Sequence, residues 1–180
     1  CVVLPKAALV IDYRKGLYKP YNDATLEEVL LEEIKSVPEW CRIDRIARDI
    51  PSNEIEAGFK SSNIRQILEE RLRRLGTPCR DIRAREIGHE PIIMKNVKMI
   101  RRDYDASFGK EIFLSYEDVE NDKLVALLRL RITKNTFLSG LKNTTLIREV
   151  HVYGRQLAIG KHVKGEMQHL GWGTLLMADA

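Results

Sequence analysis

Long apolar runs are missing from this 180-residue sequence. Uncharged apolar stretches stop at about five residues, as in Leu124–Leu128, where a membrane-spanning helix needs about 20. The opening "CVVLPKAALV" has no basic n-region and no small-residue cleavage site, so it is not read as a signal peptide. The first residue is Cys rather than Met, and a fragment or processed form is expected. Cysteine is scarce: Cys1, Cys41 and Cys79 lie far apart, and no Cys-x-x-Cys occurs. An odd, scattered set argues against a disulfide framework and for a reducing, cytoplasmic setting. It also lacks the cysteine triplet that holds an iron–sulfur cluster. No internal repeat or low-complexity tract is visible.

What is present suits a folded chain with a real core, one ordinary domain or two small ones. The composition is 44% hydrophobic and 31% charged. The net charge of +4 is unevenly placed. Between Lys60 and Arg85 stand Lys60, Arg65, Arg71, Arg73, Arg74, Arg80, Arg83 and Arg85, against Glu69, Glu70 and Asp81. Such a tract attracts phosphates, or it is simply a solvated helix face with a basic loop.

Residues 1–24 show little periodicity and are expected to be irregular. Thr25 with Glu28 fits a capping box, and Leu26, Val29, Leu30, Ile34 and Val37 then form an apolar stripe that Pro38 ends. "WCRIDRIARDI" alternates in part and predicts a strand. Ser62 or Asn63 caps a second helix with Ile64, Ile67, Leu68, Leu72 and Leu75 inside, stopped by Gly76. Beyond Pro91 the pattern turns to strands: "IIMKNVKMIRR", "KEIFLSYE", "LVALLRLRI" and "TLIREVHVYG". A final helix is expected from Gly173 or Thr174. The boundary between the two halves is placed near residue 90.

"QHLGWGTLLM", Gln168–Met177, joins two glycines to a helix start. Such a turn gathers backbone N–H groups at the positive end of a helix and favours a phosphate or pyrophosphate. It is neither the dinucleotide fingerprint nor the Walker-type loop. By itself it is also compatible with a turn that holds no ligand.

Gln168, Gly171 and Gly173 resemble the Gln/Arg-x-x-Gly-x-Gly/Ala turn that GNAT-superfamily acetyltransferases carry after their fourth strand, here "REVHVYG". More of the chain follows suit. "RIARDIP", "SNIRQILEERL", "CRDIRAREIGHE", "RRDYDASFGKEIFLSYED", "LLRLR" and "QHLGWGTLLM", in order, resemble the family of Elongator catalytic subunits, the tRNA carboxymethyluridine synthases. The resemblance implies an α/β protein: residues 1–90 as the end of a radical-SAM partial barrel with its linker, and residues 91–180 as a truncated GNAT-like α+β acetyltransferase domain. It implies acetyl-CoA, S-adenosylmethionine and a 4Fe-4S cluster as cofactors, with the cluster ligands outside these residues. tRNA is the implied partner, with other Elongator subunits or a second copy as further ones, and no membrane. In the implied reaction S-adenosylmethionine supplies a radical that activates the acetyl methyl group, which is joined to the five-position carbon of the wobble uridine. These residues alone are not expected to complete it.

Carried over by resemblance, Glu149, Val150, His151 and Val152 form the acetyl-CoA-contacting strand. Gln168, Gly171, Trp172, Gly173 and Thr174 form the pyrophosphate turn. The catalytic group is unassigned, with Glu149, His151 and Tyr153 as candidates. Arg42, Arg45 and Arg48, with Lys60, Arg65, Arg71, Arg73, Arg74, Arg80, Arg83 and Arg85, are the expected tRNA contacts. No metal site is assigned. Where some members place zinc-binding cysteines, this chain has Cys79 with Asp81 and Ala84; Cys79, Asp81 and His89 are the only candidates. Two other readings are a GNAT-type protein lysine acetyltransferase and a non-catalytic tRNA-binding scaffold.

Overall fold

The computed structural model describes residues 2–48, 50–61, 63–88, 93–133, 136–154 and 171–180. The chain divides into two compact units, Cys1–Ala84 and Arg85–Ala180.

The first unit is helical: α1 (Leu9–Arg14), α2 (Asp23–Ser36) and α3 (Ile64–Arg74). Its core joins Leu31 and Ile34 of α2 to Ile64, Leu68 and Leu72 of α3, with Phe59 between them. Residues three and four apart share one helix face, so these side chains are buried as a strip, whereas Val29 and Leu75, expected on the same stripes, are 40% and 58% exposed. Truncating the fully buried Leu68 to Ala would cost about 2–5 kcal/mol. A four-residue helix, α4 (Ile82–Arg85), carries the chain across the divide.

Several local expectations need correction here. Residues 1–24 are not wholly irregular, because α1 lies within them; it has no side-chain cap to announce it. The cap of α2 is Asn22, whose side-chain oxygen accepts from Thr25 N at 2.8 Å, so Thr25 is inside the helix. Glu28, the supposed capping-box partner, instead meets Arg71 at 2.5 Å. Asn63 precedes α3 without capping it, since Ser61 Oγ holds its side-chain oxygen; Ser62 lies outside the described residues.

"WCRIDRIARDI" forms no strand among its described residues. Its backbone groups bond elsewhere: Ile43 N to the Asp81 carboxylate, Ile43 O to Arg65, Asp44 O to Arg83 and Cys41 O to Ile82 N. These bonds take backbone groups that a strand ladder would otherwise use.

The second unit is an antiparallel meander of β1 (Val97–Ala106), β2 (Gly109–Asp118), β3 (Lys123–Thr133) and β4 (Thr144–Val152), in that spatial order, followed by α5 (Trp172–Asp179). β1 starts later than its sequence suggests, because Met94–Asn96 make a single 3-10 turn first. Period-two alternation sorts the side chains by face. Tyr116 of β2 and Val152 of β4 lie on the face that meets Trp172 and Gly173 of α5. The opposite face is charged: Arg102 and Arg85 converge on Glu117, Arg129 lies over the Phe113 ring and pairs with Glu149, and Arg131 and Arg148 converge on Glu111. The alternation in "LRLRI" is the sequence trace of that division.

Candidate functional site

β4 is an edge strand of the described sheet. Pairing jumps from Arg129↔Glu149 to Leu130↔Ile147, so Arg148 is one residue too many on β4. A bulge of this kind bends the strand and re-aims its side chains. Just beyond it come Glu149, Val150, His151 and Val152. Glu149 Oε2 accepts from Arg129 Nε at 2.7 Å, which occupies a carboxylate that could have served as a base. His151 is exposed and its ring lies 4.3 Å from that of buried Tyr153. Tyr153 N donates to Val125 O, prolonging the ladder past β4.

Gly171 precedes α5 with φ 79°, a left-handed conformation that favours glycine, and opens the helix at Trp172. That is one residue earlier than Gly173, the first expected start. The first helical hydrogen bond runs from Leu175 N to Gly171 O. The N–H groups of Trp172, Gly173 and Thr174 therefore have no acceptor within the helix. Trp172 packs on Tyr116, ring centroids 4.8 Å apart, and its buried indole Nε1 has no hydrogen-bond partner among the described residues. Tyr116 donates to Asp179 at 2.7 Å; burial first and that carboxylate second push its hydroxyl up to about 12. Gln168 lies outside the described residues. Arg129 and Tyr116 belong to no motif in the sequence; their alternation within β3 and β2 is the signal that places them.

The expected phosphate contacts separate by exposure. Arg42, Arg45, Arg48, Lys60, Arg73, Arg74, Arg80 and Arg83 are exposed. Arg71, half-buried, is drawn to Glu27 and Glu28 of α2. Arg65 is directed inward, bonding Glu69, Ile43 O and Asp81. Arg85 is buried against Glu117 and Asp122. Neither Arg65 nor Arg85 faces a solvent-borne partner.

Of the metal candidates, Cys79 and Asp81 lie among the described residues and bond to each other. Asp81, fully buried, accepts from Arg65, Ile43 N and Cys79 Sγ, the last at 3.0 Å. Burial, reinforced by that hydrogen bond, pushes the Cys79 thiol up to about 11, away from the thiolate a metal needs. His89 is outside the described residues, and no metal-binding group of three occurs among the described ones. Nor do the described cysteines, Cys41 and Cys79, supply the three thiolates of an iron–sulfur cluster. No helix among the described residues is long and apolar enough to cross a membrane.

Comparison with known proteins adds four findings. Residues 1–74 match the Radical_SAM C-terminal domain. The chain is 42% identical to Elongator complex protein 3 of Schizosaccharomyces pombe over 93% of its own length and 32% of the relative's. It is 38% identical to the tRNA uridine(34) acetyltransferase of Methanocaldococcus infernus over 100% of its length and 35% of the relative's. It thus spans about a third of these curated relatives. A solved structure of the archaeal Elongator protein 3 from Methanocaldococcus infernus, with an N-terminal deletion, superposes with TM-score 0.87 at 38% identity, covering 99% of this chain and 44% of that one.

Proposed function

Because this chain belongs to the Elongator complex protein 3 family, of whose curated members it spans about a third, we propose that it is part of an acyltransferase that modifies the wobble uridine of tRNA. In this reading residues 1–90 end the radical-SAM region and its linker, and residues 91–180 begin a GNAT-like domain.

The observation that carries the reading is the sequence of edge strand, bulge and helix start in the second unit. The edge of β4 that pairs with no other strand among the described residues offers backbone donors and acceptors in extended register, suited to an amide-bearing pantetheine arm. The N–H groups of Trp172, Gly173 and Thr174 suit a pyrophosphate. These residues therefore fit acetyl-CoA, which supplies an acyl thioester when bound. The chain's own residues bind and orient it: β4 fixes the arm and α5 fixes the phosphates. Arg129 Nε stands 2.7 Å from Glu149 Oε2 and occupies it. Because the described cysteines, Cys41 and Cys79, do not make up the three thiolates of a cluster, no step through S-adenosylmethionine is assigned to the described residues.

The exposed cations of the first unit suit a polyanion. Contacts of that type give affinity without sequence readout. Wobble-base choice then falls to the shape of the pocket that receives an unstacked base.

The test is calorimetry of the intact protein with acetyl-CoA, followed by an assay of CoA release with and without tRNA. Binding together with tRNA-stimulated release is expected. Absence of acetyl-CoA binding would remove the reading, and acetylation of peptides without tRNA dependence would replace it with a protein acetyltransferase.

A further inference from the structure

The turn between β1 and β2 is Ser107–Phe108, a two-residue loop closed by the Ala106↔Gly109 pair. Both residues have positive φ, 45° and 61°. That is the signature of a type I′ hairpin, where Asn-Gly is the favoured pair and a bulky side chain is disfavoured. Phe108 nevertheless occupies the second position and is 98% exposed. It contributes nothing to the core.

The turn is fastened from behind. Arg131 donates to Ala106 O and Ser107 O, both at 2.9 Å. Gly109 leaves room for that guanidinium, since a Cβ there would stand 2.7 Å from Arg131 Nη2. A second aromatic, Phe137, is 95% exposed in the connection between β3 and β4. Register places the two connections side by side: Lys110 pairs with Ile132, and Thr133 pairs with Thr144. One end of the sheet thus presents two solvent-facing rings. Exposed ammonium groups flank them: Lys110, which also meets Asp103 at 3.3 Å, and Lys142.

We propose that these two hairpin tips are a docking point for unstacked bases of a folded RNA, each ring stacking on a base and Lys110 and Lys142 meeting adjacent phosphates. Separate aromatic faces with nearby cations are the pairing by which single-stranded nucleic acid is held. Two rings on separate tips fall well short of the roughly 800 Å² per partner of a standard protein interface. Strain kept at an exposed turn points to a role outside the fold. The inference rests on the tRNA reading above and adds to it a contact in the second unit, remote in sequence from the basic tract of the first.

The experiment compares the intact protein with its Phe108→Asn, Phe137→Ser and double variants in tRNA binding at two or more salt concentrations, with thermal unfolding and sedimentation alongside. Asn suits positive φ, so Phe108→Asn should melt at the parent temperature or above. Its tRNA Kd should rise at least about five-fold, as for loss of one base stack. The salt slope should stay unchanged, because no phosphate contact is removed, whereas Lys142→Ala should reduce it by about one. Phe137→Ser, in a longer connection, should weaken binding independently, so the question stays open to test even if one variant folds poorly. Unchanged Kd in the double variant overturns the proposal. So does altered sedimentation with unaltered tRNA affinity, which would make the tips a protein contact. If the parent protein itself fails to retain tRNA, the proposed function falls and this inference with it; parental binding without variant effects removes this inference alone.

Discussion

The guanidinium of Arg85 stands 2.8 Å from the carboxylate of Glu117, with side chains only 2% and 5% exposed. Arg102 reaches the same carboxylate at 2.7 Å, and Ser115 Oγ donates to it at 2.6 Å. A buried ion can stay charged only when its partners replace water. Arg85→Ala would leave Glu117 short of one of them. The expected loss is about 3–5 kcal/mol of stability, read from denaturant unfolding. tRNA affinity of the folded fraction should keep its salt slope, because Arg85 does not reach solvent. A reduced slope in a fully folded variant would return Arg85 to the RNA-binding set.

Glu117 also sets a pH dependence. Burial alone would raise its pKa, but hydrogen bonds from Arg102 and Ser115, with the charges of Arg85 and Arg102, outweigh burial and hold it below the usual carboxylate range. The folded pKa lies below the unfolded one, so its contribution is fully present above the ordinary glutamate range near 4.3. That contribution is lost as pH falls through the lowered value. Glu117→Gln should therefore be less stable than the parent at pH 7, with a shallower decline in stability below about pH 5. Parallel pH–stability curves for the two proteins would contradict this.

Cys79 gives a chemical test of the Asp81 cluster. With its thiol pushed up to about 11, the thiolate fraction at pH 8 is about one in a thousand. Alkylation followed by peptide mass spectrometry should find Cys79 slow to react at pH 8 and faster as pH approaches 11. Asp81→Asn removes the hydrogen-bonded carboxylate that helps raise the thiol and also holds Arg65 and Ile43 N. The variant should react faster and melt lower. Rapid labelling of the parent at pH 8 would show that the thiol is not held in this way.

At the start of α5, helix stability and ligand binding are expected to move in opposite directions. Among the described residues, a Cβ on Gly173 would meet only Val152 Cγ2, at 3.8 Å, which is ordinary contact. Gly173→Asp puts a negative charge in the first helical turn, where the helix dipole favours it by about 0.3–1 kcal/mol. The same charge repels a pyrophosphate placed on those N–H groups. Expected are an unchanged or raised melting temperature and at least about a ten-fold weaker acetyl-CoA Kd by calorimetry. Equal affinity would move the phosphate site away from α5.

These sites were not equally legible in the sequence. β2, β3 and β4 could be read from their strand-like composition and partial alternation, and α2 and α3 from their periodic apolar stripes, because one buried face imposes one period. α1 and α4 are too short for a period to show. Residues 41–48 alternate like a strand, but their backbone bonds are taken by Asp81, Arg65, Arg83 and Ile82, which no local pattern reveals. Composition marked the arginine tract but could not tell a surface arginine from an inward one. Arg65 carried one hint, Glu69 at i+4. Arg85 carried none, since Glu117 is 32 residues away.

That difference among the arginines yields a final prediction. Arg73 and Arg74 are exposed and share Glu70, a surface arrangement worth little to folding. A polyanion can therefore draw them off at small cost. Arg73→Ala with Arg74→Ala should leave the melting temperature nearly unchanged, weaken tRNA binding, and reduce the dependence of log Kd on log salt by about two. Arg65→Ala should do the reverse. It breaks bonds to Asp81, Glu69 and the Ile43 carbonyl, so stability falls by about 3 kcal/mol or more while the salt slope of the folded protein holds. Filter binding at several salt concentrations and thermal unfolding separate the two patterns. If Arg65→Ala flattened the slope and the Arg73/Arg74 pair did not, the RNA-facing side of the first unit would be the side that Arg65 occupies, and the exposed face of α3 would be excluded.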